Sequence, residues 1–260
     1  MFNKLPCNRT AFTLIELLAA LAVLSMLVVM LFLAFTNCNR MMVLGSNQME
    51  KNQVVRAVLQ QISRDIERTA YFPRAVNLYQ ASAATETISG TGISNCTLYC
   101  LSTLTTDEGN VLGSVVNVGY QATNVATVNY GVTVQKWVLQ RGDDAYVDQN
   151  GSPTTWWTNT FANSTFWKTI SDNVLGVAFQ FYTNRDLSAA SWSSTNLPNS
   201  LPTSVGITIW AIDSDNYNRA LTLSPNLTVA DPQFAAAVRI LTNNIHQYSS
   251  RVFLPQSTQN

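Results

Sequence analysis

The 260-residue chain is poor in charge: Asp, Glu, Lys and Arg make up only 12% of it, 15 basic residues balance 15 acidic ones, and there is one His. Without a basic surplus it is no candidate nucleic-acid binder, because affinity for phosphates comes from Lys and Arg displacing counterions. Without a high net charge, and with 47% hydrophobic residues, it does not have the composition of a disordered chain. Catalytic signatures are missing too. There is no Gly-x-Ser-x-Gly, no Walker loop and no His-Glu-x-x-His, and His246, on a predicted helix near its polar end, has no motif around it. The length allows one or two domains, and so few charges for so much apolar residue implies that part of the hydrophobic count is not core.

Those apolar residues are gathered at one end. Leu17 to Phe35 reads LLAALAVLSMLVVMLFLAF, with no charge, Pro or Gly and only Ser25 as a polar interruption. About 20 apolar residues at roughly 1.5 Å each span the ~30 Å hydrocarbon core of a bilayer, and Leu and Ala are good helix formers. A removable secretory signal has a shorter apolar core and a small-x-small cleavage site, whereas this run ends in Ala34-Phe35-Thr36-Asn37-Cys38. Lys4 and Arg9 on one side, and Arg40 and Lys51 on the other, leave its orientation undecided by charge bias.

Just ahead of the run stands Glu16, preceded by Ala11, Phe12, Thr13, Leu14 and Ile15. An ionisable residue at the edge of a membrane segment is costly and marks function, with a partner to be found. Phe12-Thr-Leu-Ile-Glu16 followed by a long apolar helix resembles the N-terminus of type IV prepilins and pseudopilins. The resemblance implies that a leader, residues 1–11, is removed by a prepilin peptidase between Ala11 and Phe12, and that the new N-terminal Phe12 is methylated. Family members usually carry Gly where Ala11 stands; Ala is the next smallest side chain, so the site is expected to be cut, more slowly. Cleavage would create an α-amine of pKa ~7.7–8 beside the isolated carboxylate of Glu16. In a filament the amine of one subunit would reach Glu16 of its neighbour, so charge pairing in a low dielectric would select the axial stagger.

Further along, Val55, Val58, Leu59, Ile62 and Ile66 recur at helical spacing, with Lys51, Arg56, Arg64, Asp65, Glu67 and Arg68 on other faces. Pro73 ends this helix, and Gly45 is the one expected bend. A helix of about 60 residues, roughly 90 Å if continuous, follows. The expected fold class is therefore α+β: a transmembrane and assembly segment, 12–35, its amphipathic continuation, 36–72, and a β-rich head, 73–260, packed on the second half of the helix, as in pilins. Strands are expected at Leu112–Tyr120, Thr127–Gln140, Val174–Thr183 and Ser204–Ile212, separated by loops such as Gly142-Asp143-Asp144 and Gln149 to Pro153. Val177, Phe179, Phe181 and Thr183 should share a packed face. Asp231-Pro232 reads as an N-cap with Pro at the first helical position, before helix-spaced Phe234, Ala237, Val238, Leu241 and Ile245. The polar tail begins at Pro255.

The block Ile170-Ser-Asp-Asn-Val174, Phe179 to Tyr182, Trp192 and Leu201-Pro202 resembles the C-terminal half of J-type minor pseudopilins of type II secretion, over about 45 residues, and the layout is similar to the Verru_Chthon cassette family. Both imply a minor subunit. The family implies as partners the prepilin peptidase, other pilin or pseudopilin subunits, an inner-membrane assembly platform and membrane lipid, with no nucleic acid. It also implies a single-pass inner-membrane store with the N-terminus cytoplasmic and the head exported, filament assembly, and no enzymatic role.

Cys7 would leave with the leader, and Cys38 lies at the membrane surface. Cys96 and Cys100 would close a small disulfide loop in an exported domain; two free thiols or half a zinc site are the alternatives, and no second Cys pair follows. No cofactor is expected. A calcium loop is a further alternative: Asp213-Ser214-Asp215 starts like an EF-hand but lacks its Gly and closing Glu, and Asp143, Asp144, Asp148 and Asn150 read as solvated turn residues. Trp156-Trp157 offers a carbohydrate platform and with it an alternative function, an adhesive tip module, against the commoner use of aromatics as core or subunit contacts.

Overall fold

The computed structural model describes residues 14–69, 78–81, 88–93, 95–103, 115–129, 131–145, 166–183 and 201–254. Expectations for Cys7, Ala11, Phe12, Pro73, Asp148, Asn150, Trp156, Trp157 and Trp192 lie outside these residues. Helix α1 runs from Leu14 to Glu67, 54 residues, and passes through Gly45 without a break. Two compact units are separated between Gln48 and Met49.

The described residues of the first unit, 14–48, are all helical. From Leu14 to Ser46 every described side chain is exposed, including Leu31, Phe32 and Phe35. Its two mid-helix hydroxyls are satisfied without water: Ser25 Oγ donates to the Ala22 carbonyl at 2.8 Å and Thr36 Oγ1 to the Leu33 carbonyl at 2.9 Å. This is how a polar side chain is tolerated where solvent is absent. Among the described residues this is the one helix long and apolar enough to cross a membrane, with a mean hydropathy of 2.9 in its best window.

In the second unit, Met49 to Glu67 of α1 lies against two antiparallel sheets. One sheet has five strands in the order β1 (Leu78–Ala81), β2 (Thr97–Thr103), β3 (Val115–Asn129), β4 (Val132–Ala145) and β5 (Trp167–Ser171). The other has β6 (Val174–Tyr182), β7 (Ser204–Ala211) and β8 (His246–Phe253). The helix-spaced Val55, Val58, Ile62 and Ile66 are buried against Leu98, Val118 and Tyr120 of the first sheet and Val177, Phe179, Ile207 and Ile209 of the second. Each such side chain contributes roughly 1.5–3 kcal/mol by leaving water. The expected inward face of β6 is correct for Val177, Phe179 and Phe181, and the α+β class holds.

Four local expectations are corrected. Thr127–Gln140 is not one strand: the chain reverses between Asn129 and Val132, which pair, and Gly131 takes φ 80°, a conformation only Gly adopts without strain. The β-branched run on both sides hides this hairpin from a periodicity reading. Gly142-Asp143-Asp144 is not a loop but the end of β4, with Gly142 opposite Gly119 and Asp143 opposite Val118. Asp231 does not cap the late helix, α3 (Phe234–Asn244), whose N-cap is Gln233; its carboxylate instead accepts from Ser224 Oγ at 2.6 Å and the Asn226 amide at 3.2 Å, closing the preceding turn. His246 is not helical. It opens β8, opposite Ala211.

One helix was not foreseen, α2 (Ser214–Leu223), which packs with α3 over a second core containing Trp137, Leu175, Tyr217 and Leu241. The acidic start that resembled a calcium loop is its cap: Asp213 accepts from the Asn216 amide at 2.9 Å.

Gly176 of β6 is a packing constraint. A Cβ there would stand 2.3 Å from Ile93 Cγ2 and 2.5 Å from Asn95 Oδ1, atoms of the segment that covers this strand through Cys96 N–H to the Val177 carbonyl, 2.9 Å. Gly176→Ala is expected to cost about 1–3 kcal/mol through overpacking, seen as a lower urea midpoint; an unchanged midpoint would show that the covering segment yields freely.

Candidate functional site

Two places on α1 bear on function: its first turn and the point where its last turns are fastened to the sheets. Glu16 is in the first turn, with an exposed side chain, followed by the uncharged stretch to Phe35. A carboxylate at this end is favoured by the partial positive charge of the helix N-terminus. Ala11 and Phe12 lie outside the described residues, so of the expected charge pair the structure places Glu16 alone.

The fastening is a buried ionic clasp that sequence reading missed. The Asp65 carboxylate accepts from Arg141 Nε at 2.9 Å and from the Tyr120 hydroxyl, and Arg141 Nη1 also reaches Asp143 Oδ1 at 3.0 Å. Asp65 and Arg141 side chains are only 13% and 14% exposed. Strands β3 and β4 present Tyr120 and Arg141 directly opposite each other, which is why both meet one carboxylate. Burial would lower the Arg141 pKa, but the Asp65 charge and hydrogen bond together with Tyr120 and Asp143 outweigh it and the net direction is upward, so the guanidinium stays charged. Burial, followed by the Asp65 charge, raises Tyr120 well above the usual tyrosine range. The helix is held elsewhere by Tyr248 Oη donating to Asn52 Oδ1 at 2.6 Å and by the Thr103 amide to the Arg68 carbonyl at 3.1 Å.

Tyr217 is a second buried phenol, accepting from the Trp137 amide at 2.6 Å, and burial raises its pKa as well. Both phenols are raised in the fold, so the stability they give is complete below the unfolded value near 10 and is lost as pH rises beyond it. Alkaline titration followed at 295 nm should therefore show two tyrosines ionising only with unfolding; smooth ionisation of all nine near pH 10 in the folded chain would contradict the assignment.

The expected disulfide is not formed: Cys96 and Cys100 are both free. Residues 97–100 are extended, which sets the two Cα atoms roughly 13 Å apart, beyond the reach of a disulfide. Cys100 is fully buried and its thiol pKa is raised by that burial. Cys38 is free and exposed. No three His, Cys, Asp or Glu side chains converge among the described residues. Asp143 and Asp213 are engaged in the clasp and in the α2 cap.

The description "Prokaryotic N-terminal methylation motif" matches residues 7–32, the stretch that includes Glu16 and the first half of the apolar run. The matched stretch is an N-terminal methylation motif of the kind that type IV prepilins and pseudopilins carry. A long N-terminal helix followed by antiparallel sheets is an α+β arrangement. No curated protein matches the chain. Among solved structures, a chain in "The Crystal Structure of the GspK-GspI-GspJ complex from enterotoxigenic Escherichia coli Type 2 Secretion System" is similar over 79% of this chain and 99% of that one, at 13% identity and a TM-score of 0.38.

Proposed function

We propose that the chain is a minor pilin or pseudopilin: a structural subunit stored in the inner membrane by its first helical segment, trimmed by a prepilin peptidase between Ala11 and Phe12, methylated at Phe12, and extracted into a pilus-like or type II secretion filament. The observation that carries this reading is the methylation motif at 7–32 running into a helix whose side chains are exposed all round from Leu14 to Ser46. Its Leu17–Phe35 part is apolar on every face and needs lipid or other helices to cover it. Stored, it would be covered by lipid; assembled, by the same segments of sister subunits. Glu16 would then form the inter-subunit pair with the cationic amine of Phe12, and the clasp at Asp65 would pass the pull on the helix to the sheets. No reaction is assigned to the subunit.

When the chain is co-expressed with sister subunits, an assembly ATPase and its platform, sheared filaments should contain it. Its retention in the membrane fraction under all such conditions would sink the assembly reading.

A further inference from the structure

We propose that the outer face of the β6-β7-β8 sheet is a binding trough for an uncharged oligosaccharide, a site whose described lining belongs to the second unit. The trough is open to solvent along one side and has a volume of about 660 Å³. Its shape follows from side-chain size on a regular antiparallel face. Along β7 the outward residues are Gly206, Thr208 and Trp210, and the register sets Ala178 and Ser249 on either side of Thr208. Small side chains thus make a floor, while half-buried Trp210 stands at one end, against Gly176, and Tyr182 at the other. Tyr182 lies over Gly206, 3.2 Å from where a Cβ would stand, so Gly206 is what allows the ring to lie across the sheet. From Gly206 to Trp210 is roughly 13 Å and three strands are roughly 10 Å wide, room for two or three pyranose rings.

The lining chemistry selects the ligand. Gln180, Gln247, Thr208 and Ser249 present amides and hydroxyls beside Tyr182 and Trp210, and no carboxylate is among the described lining residues. Tyr182 Oη donates to Gln180 Oε1 at 2.9 Å and the Thr208 and Ser249 hydroxyls lie 3.4 Å apart, so a ligand would meet the Gln180 Nε2, the Gln247 amide and the remaining bonding positions of the two hydroxyls. An apolar segment would desolvate these groups without pairing them, which disfavours it. An anion is disfavoured as well, because Arg251, the one cation among the described lining residues, is already committed: its guanidinium lies 4.1 Å from the centroid of the Tyr182 ring and 5.5 Å from that of Phe253, and its Nε donates to Ser204 Oγ at 2.8 Å. Arg251 is thereby a fixed end wall. A neutral polyhydroxylated ring matches what remains: hydroxyls to pair with amides and hydroxyls, and C–H faces to lie on aromatic surface.

The test uses the full chain in lipid nanodiscs, screened against an array of neutral oligosaccharides of four to eight sugars, with uronic-acid and sulfated oligosaccharides on the same array. Binding of a neutral class is expected. Ser249→Trp and Thr208→Trp, which fill the floor, should weaken it at least tenfold, and Gln247→Ala, at an exposed position that leaves the fold undisturbed, about threefold or more; Val132→Ser, on the β3-β4 hairpin, should leave it unchanged. The proposal is overturned if no oligosaccharide binds, if the anionic sugars bind better than the neutral ones, if Ser249→Trp and Gln247→Ala bind as the parent does, or if Ser249→Cys crosslinks to a sister subunit in assembled filaments.

Discussion

Replacing Arg141 with Met is expected to lower the stability of the second unit by about 3 kcal/mol. Asp65 and Arg141 are each less than one-seventh exposed, and Asp65 carries the Tyr120 hydroxyl as well. Removing the guanidinium strands a carboxylate that folding has already taken out of water, and breaking a buried pair typically costs 3–5 kcal/mol. The residual exposure places the expectation at the low end of that range. Arg64→Met, one residue away from Asp65 on the exposed side of α1, should change stability by less than ~0.5 kcal/mol. The double variant Asp65→Asn/Arg141→Met should recover part of the loss, because no unpaired charge then remains. Urea unfolding of the full chain in nanodiscs, followed by tryptophan fluorescence, measures all three. If Arg141→Met behaves like Arg64→Met, the clasp does not hold the helix to the sheets.

The second large effect is expected at Glu16. Glu16→Ala should leave membrane insertion intact, since it removes a charge from the edge of an apolar segment, and should reduce incorporation into sheared filaments by at least tenfold. The reasoning is electrostatic: two opposite charges in a low-dielectric environment each cost several kcal/mol when alone and largely offset each other when paired. A subunit with only the amine therefore meets a penalty on entering the filament that the parent avoids. Glu16→Asp, which keeps the charge on a shorter arm, should retain partial incorporation. Undiminished incorporation of the Ala variant would remove the proposed pair.

The parts of this molecule legible in the sequence are those with local signals. The apolar run, Glu16 at its head, and the spacing of Val55, Val58, Ile62 and Ile66 are one-dimensional patterns, and each matches what the structure shows of α1. The two strands Val174–Tyr182 and Ser204–Ala211 were equally plain because one face of each is buried. The hairpin at Gly131 was hidden because strand-forming residues continue through it. Helix α2 had its signals, Asp213 as a cap and Tyr217, Ala220 and Leu221 at helical spacing, but its polar composition diverted the reading towards an ion loop. The Asp65–Arg141 clasp had no local signal at all. Its partners are 76 residues apart and meet only because β3 and β4 fold back on α1. The disulfide failed for a related reason: Cys-x3-Cys suits a loop, and the chain there is a strand.

The most direct measurement is intact-protein mass spectrometry of the membrane-extracted chain from cells that contain a prepilin peptidase. A mature species beginning at Phe12 with one added methyl group on its α-amine is expected, with the unprocessed form in cells without the peptidase. A chain that still begins at Met1 in the presence of an active peptidase would contradict the proposed processing.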